Sequence, residues 1–192
     1  MSANIVKKFR NKKTFDRLKK RDKDVFTIVY DENVADIYRF VYYKIGSIEE
    51  AKDLTSVVFL KTWNHIQNNT LENAKTLRAL LYKVARNVII DHYRDKSNKI
   101  VSLDDERNPI DIAADNEEES RLDDAQDLKL IRLKLPLLKE EYREIIIMRF
   151  INDLTLEEIA DITKKSRGNI RVIIHRALTA LRELIEEEKG GK

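Results

Sequence analysis

The sequence predicts an all-α fold: two small helical domains joined by an acidic flexible linker, the C-terminal one containing a helix-turn-helix. Three observations lead there. Apolar residues recur at spacings of three and four through most of the chain. Only four Gly and two Pro interrupt 192 residues, so turns are few. Charge is also divided sharply along the length: net +7 over residues 1–24, +2 over 25–100, −9 over 101–128 and +3 over 129–192. With 42% hydrophobic and 37% charged residues, the chain has enough apolar material for a core beneath a charged exterior.

Residues 1–24 form a basic N-terminal arm. In the first domain, 25–100, helices are expected at Asp36–Ile45, Ile48–Ile66 and Thr76–Tyr93. The last of these places Leu77, Leu80, Leu81, Val84 and Val88 on one face. The run NNTLENA, Asn68–Ala74, reads as a loop between the last two. Residues 101–127 hold Pro109 and a dense set of like charges, so an extended linker is expected. Two readings stay open for it: a solvated spacer, or a strand that occupies a basic channel on a partner.

The second domain, 128–192, offers helices at Asp127–Lys134, Lys139–Phe150, Leu156–Thr163 and Arg167–Glu187. Thr155 with Glu158 three residues on is a capping-box pair that starts a helix. Ile159, Ala160 and Ile162 supply its buried face. A turn follows at Lys164–Ser166, where Ser166 suits an N-cap. Many such turns have Gly for a left-handed backbone; this one reads ITKKS. On the next helix Ile170, Ile174, Ala177, Leu178 and Leu181 are expected in the apolar stripe.

Opposite that stripe lie Val172 and His175, flanked by Arg171 on one side and by Asn169 and Arg176 on the other, while Arg167 stands at the start of the same helix. Arg can read guanine, Asn adenine, and Val a thymine methyl, so this face suits a major groove. A solvated amphipathic helix is the other reading. A second face, on the run LLYKVARNVIIDHYRDK, interleaves Tyr82, Arg86 and Tyr93 with Lys83 and Arg94. Aromatics among cations can stack unpaired bases and neutralise their phosphates. Alternatively, the two tyrosines cover the rim of a small core.

Catalysis is not indicated. There is no Cys, and His65, His92 and His175 are scattered without ligand spacing. No glycine-rich phosphate loop occurs. No catalytic residue, metal or cofactor is therefore expected, and the chain is not read as an enzyme. No apolar run approaches the roughly 20 residues of a membrane span. The basic start MSANIVKKFRNKK lacks the apolar core of a signal peptide. A cytoplasmic protein without membrane insertion is expected.

Taken in order, these stretches resemble the extracytoplasmic-function (ECF) sigma factors, the smallest members of the sigma-70 family of bacterial RNA polymerase subunits. EEAKDLTSVVFLKTW is similar to the family's polymerase-binding helix, and LLYKVARNVIIDHYRDK to its promoter-melting segment. LKLPLLKEEYREIIIMRFINDLTLEEIA through HRALTALREL is similar to region 4. The likeness covers roughly 25–100 and 128–186.

The resemblance implies a sigma factor that binds core RNA polymerase and directs promoter-specific initiation. The first domain would hold polymerase and capture the −10 strand; the second would read the −35 duplex. By position, Asp53 and Thr55 fall in the polymerase-binding motif, and Arg86, Asn87, Asp91 and Arg94 in the melting segment. Tyr82, Lys83 and Tyr93 join the −10 set from the face argument. Arg167, Asn169, Arg171, Val172, His175 and Arg176 form the −35 set. The loop Asn68–Ala74 corresponds to the part that holds a flipped base, and an anti-sigma factor is a further implied partner.

Three departures are visible. The family's Gln-Glu is Ser56-Val57 here, its Trp before Leu-Tyr is Leu80, and its common Thr-Val-Lys-Ser-Arg run is Asn169–Ile173. The alternative function is a conventional helix-turn-helix transcriptional regulator with an N-terminal sensing or dimerisation bundle. It would bind duplex operator alone, whereas a sigma factor generally needs polymerase.

Overall fold

The computed structural model describes residues 17, 18, 20, 22–68, 74–100, 131 and 133–190. The N-terminal arm to Asp16, most of the Asn68–Ala74 loop, the acidic linker and the start of the expected Asp127–Lys134 helix lie outside the described residues. Every regular element among those described is helical.

Helix α1 spans Lys23–Ile45 and starts thirteen residues before the periodicity at Asp36 had suggested. Asp22 caps it, accepting from the Asp24 and Val25 amides at 3.0 and 3.3 Å. The early turns are held by Val25 and Val29, both buried. It ends at Gly46, whose φ of 83° lets the amide donate back to the Tyr42 carbonyl. Helix α2, Ile48–Asn68, and α3, Ala74–Ile100, complete an N-terminal lobe.

The C-terminal lobe opens with a 3₁₀ turn at Leu135–Leu137. Helix α4, Glu140–Ile146, follows and runs into a π turn at Ile147–Ile151. Helices α5, Leu156–Thr163, and α6, Arg167–Gly190, form the helix-turn-helix.

The capping box expected at Thr155 is present. Its amide and hydroxyl both donate to Glu158 Oε2 at 2.8 Å, and the Glu158 amide donates to Thr155 Oγ1 at 3.2 Å. Ser166 Oγ accepts from the Asn169 amide at 3.2 Å, as an N-cap should. The turn takes the left-handed backbone after all, at Lys164 with φ 57°. A side chain there costs about 1–2 kcal/mol, offset in part by the chain entropy that Gly would lose. Lys164→Gly is therefore expected to raise the unfolding free energy by up to about 1 kcal/mol in a denaturant melt.

The lobes are not independent beads on a tether. One continuous core joins Phe40, Val41, Leu81, Tyr82, Ala85 and Ile89 of the first lobe to Ile145, Ile147, Met148, Leu154, Ile159 and Ile162 of the second. Arg143 to Met148 are all buried, four of them apolar in succession, so the helical segment joining α4 to its π turn has no solvent face. Such a helix must be covered on every side; here the N-terminal lobe covers one flank and α6 another. A smaller cluster of Leu135, Leu138, Ile146, Ala177 and Leu181 seals α4 against α6.

Candidate nucleic-acid interface

On α6 the buried stripe is Ile170, Ile173, Ala177 and Leu181, with Ile174 half-buried. Leu178, expected in that stripe, is 42% exposed because Ile173 takes the inward position. Arg167, Asn169, Arg171, Val172, His175 and Arg176 are all exposed on the helix following the capped turn. Val172 is 47% exposed, an apolar side chain left among cations. The face is thus open for its full length, with the chemistry to meet phosphates and base edges together.

The face expected on α3 is arranged differently. Tyr82 is 1% exposed, which corrects its placement as a stacking platform: its ring meets Phe40 edge-on at 5.2 Å. The physical reason is that α3 is buried on two sides, against α1 and α2 and beneath α5. Arg86 is half-buried and turned to the second lobe. It gives Glu144 a two-pronged ion pair, at 2.7 and 3.1 Å, and donates to the Ile162 carbonyl at 3.3 Å. Lys83 lies 3.9 Å from the Asp161 carboxylate. Tyr93 donates its hydroxyl to the Lys44 carbonyl at 2.6 Å. Asn87 and Arg94 are exposed, and Arg94 pairs with Asp91 at 3.0 Å.

Arg78 belongs to the same row and was missed by reading the sequence. It stands four residues before Tyr82 and eight before Arg86, a spacing that could have found it. Its guanidinium reaches Glu158 Oε1 at 3.4 Å, Asp36 Oδ2 at 3.3 Å and the Asn152 carbonyl at 2.9 Å. The Asn152 side-chain amide in turn donates to the Asp36 carbonyl at 2.7 Å.

A third cation, Lys44, sits 4% exposed against Glu140 and Glu144. Burial lowers its ammonium to about 8; Glu144 opposes that lowering, while Arg143 and Arg86 add to it. The packed chain therefore releases the Lys44 proton earlier than the unfolded chain does, whose lysine titrates near 10.5. Between those values the unfolded state binds more protons, so stability should climb as pH rises through this window. Denaturant melts from pH 8 to 10 would check this, with Lys44→Met flattening the rise. A falling slope would mean that the carboxylates outweigh burial.

On α2, Asp53 is exposed near the helix start, as expected. Thr55 is not: it is 4% exposed and donates to the Ala51 carbonyl at 2.6 Å. Its position turns inward, so it cannot touch a partner in this arrangement. The outward ridge instead carries Asp53, Ser56, Val57 and Leu60, the last 61% exposed. Among the described residues no group of three or more His, Asp or Glu could hold a metal ion. No helix among them is long and apolar enough to cross a membrane.

Residues 29–99 match the family model for sigma-70 region 2, and residues 135–183 the model for sigma-70 region 4. The chain belongs to the sigma-70 family. This sigma factor is 26% identical over 173 residues to the ECF RNA polymerase sigma factor BldN of Streptomyces coelicolor, covering 90% of the chain and 65% of BldN. It is 26% identical over 183 residues to the ECF RNA polymerase sigma factor SigW of Bacillus subtilis, covering 92% of the chain and 97% of SigW. RNA polymerase sigma factor SigV of the same organism is 29% identical, over 88% of the chain and 96% of SigV.

Among solved structures, the fold matches the sigma factor RpoE in complex with the anti-sigma factor NepR from Bartonella quintana. The TM-score is 0.72 at 22% identity, over 86% of this sigma factor and 98% of that chain. CnrH in complex with the cytosolic domain of CnrY matches with a TM-score of 0.69 at 15% identity, over 93% and 98%. At these identities the likeness is one of fold.

Proposed function

We propose that this ECF sigma factor directs core RNA polymerase to its promoters by reading the −35 duplex with α6 and capturing the −10 strand along α3. The observation that carries the reading is the open α6 face, where five polar or cationic side chains and Val172 stand clear of the core on a capped helix-turn-helix. Residues 128–192 would dock on duplex. Residues 25–100 would hold polymerase through the Asp53–Leu60 ridge of α2, with 101–127 as a tether and 1–24 as a basic arm. The strand-capturing set is Lys83, Arg86, Asn87, Tyr93 and Arg94, to which Arg78 is added. Tyr82 supports that set from beneath. The work would be done in the cytoplasm, without catalysis of its own, and an anti-sigma factor is a natural regulator.

Run-off transcription tests the reading: purified core polymerase, the full chain and a pool of genomic fragments. Transcripts from defined sites only in its presence are expected. Tight duplex binding by the chain alone, with no transcripts, would support the conventional regulator instead. Within the −35 complex, Arg171→Ala should weaken binding and reduce the salt slope by about one, as expected for a lost phosphate contact. An unchanged slope would place Arg171 away from the phosphates.

A further inference from the structure

The outermost line of α6 holds no Lys, Arg, Asp or Glu. At 3.6 residues per turn, the side opposite the buried Ile170, Ile173, Ala177 and Leu181 carries Gly168, Val172, His175 and Thr179. Cations stand beside this line, Arg171 and Arg182 on one flank and Arg176 on the other, all exposed. That order fits a duplex groove. Flanking cations would meet the two phosphate backbones while the middle line meets base edges.

Two residues on the line are poor choices for the free protein. Val172 is 47% exposed, and a β-branched side chain on an open helix face gains no packing for its lost rotamer freedom. Gly168 is helical too, yet a Cβ there would meet no neighbouring side chain nearer than Ser166 Oγ, at 3.9 Å. Alanine would fit that space and favour the helix. The fold explains neither residue, and they lie one turn apart on the side turned away from it.

For an exposed apolar side chain, the matching group in the major groove is the 5-methyl of a pyrimidine. From these placements we infer that Val172 reads a pyrimidine 5-methyl at one fixed position of the −35 element. Gly168 lacks a side chain so that the base edges can come close to the first turn of α6. The inference rests on the reading of α6 as the −35 helix and deepens it. Thymine supplies this methyl in ordinary DNA, and 5-methylcytosine presents it at the same place on the ring. A promoter with cytosine at that position therefore becomes sensitive to cytosine methylation through Val172.

The test titrates holoenzyme, assembled from the full chain and core polymerase, onto a promoter fragment recovered by run-off transcription. Each thymine of its −35 element is replaced in turn by deoxyuridine, which removes the methyl and nothing else. One position is expected to weaken binding about fourfold, the value of one methyl group taken from water. Val172→Ser should erase that difference between thymine and uracil. At the same position 5-methylcytosine should bind more tightly than cytosine by a similar factor, again only with Val172 present. Gly168→Ala should raise the midpoint of a denaturant melt while weakening promoter binding by at least the same factor.

Equal binding of thymine and uracil throughout, with Arg171→Ala still weakening the complex, overturns the methyl reading and leaves α6 on the −35 duplex. If neither change matters, the placement of α6 falls as well. A Gly168→Ala chain that binds as tightly as the original overturns the close approach.

Discussion

Phe40→Ala is expected to lower the free energy of unfolding by about 3–5 kcal/mol, the range for emptying a fully buried aromatic site. Phe40 is 0% exposed, and its ring abuts Tyr82 where α1 and α3 meet the second lobe. Little can move in to fill the space, because Phe40 and Tyr82 both belong to the continuous buried core. For a chain of this length the melting temperature should fall by about 10 °C or more. The way it falls is also informative. With one core running through both lobes, tryptophan fluorescence from Trp63 in the first lobe and far-ultraviolet dichroism from the whole chain should melt together. Separate transitions would mean that the lobes fold independently.

Arg86→Ala is expected to slow open-complex formation about tenfold or more while changing closed-complex affinity much less. A charge-assisted hydrogen bond lost from the proposed strand-binding row costs on the order of 1.5–3 kcal/mol. In the unbound chain the same change acts in the opposite direction. It strips Glu144 of its two-pronged partner, and a buried carboxylate left short of partners weakens the seam. The assay should therefore start from holoenzyme already assembled, so that a change in assembly does not enter the measured rate. Opening at the normal rate from that state would remove Arg86 from the strand-capturing set.

Much of this was legible in the sequence, for identifiable reasons. The capping box at Thr155, the Ser166 cap and the outward row on α6 follow from local rules that tertiary packing did not override. Tyr82 and Thr55 could not be placed the same way. A helical wheel assigns one inward face, and α3 has two, because α5 lies on its far side. The clue was present in EIIIMRF: four successive apolar residues in so charged a chain have no solvent face to give. Read as part of an amphipathic helix, the run implied a small separate domain. Read as a segment covered all round, it implied the contact with the first lobe that the structure displays. The early start of α1 had a signal as well, in Asp22 followed by Val25 and Val29.

The seam that joins the lobes combines apolar burial with ion pairs, and temperature acts on both in the same sense. Apolar association weakens on cooling. The cost of stripping water from paired charges grows on cooling too. Warmth short of melting should therefore draw the lobes together, and a chill should let them part. The heat capacity change of closure should be negative, in proportion to the apolar area of Ile147, Met148 and their neighbours taken from water. A promoter-reading protein joined in this way carries a temperature response in its packing.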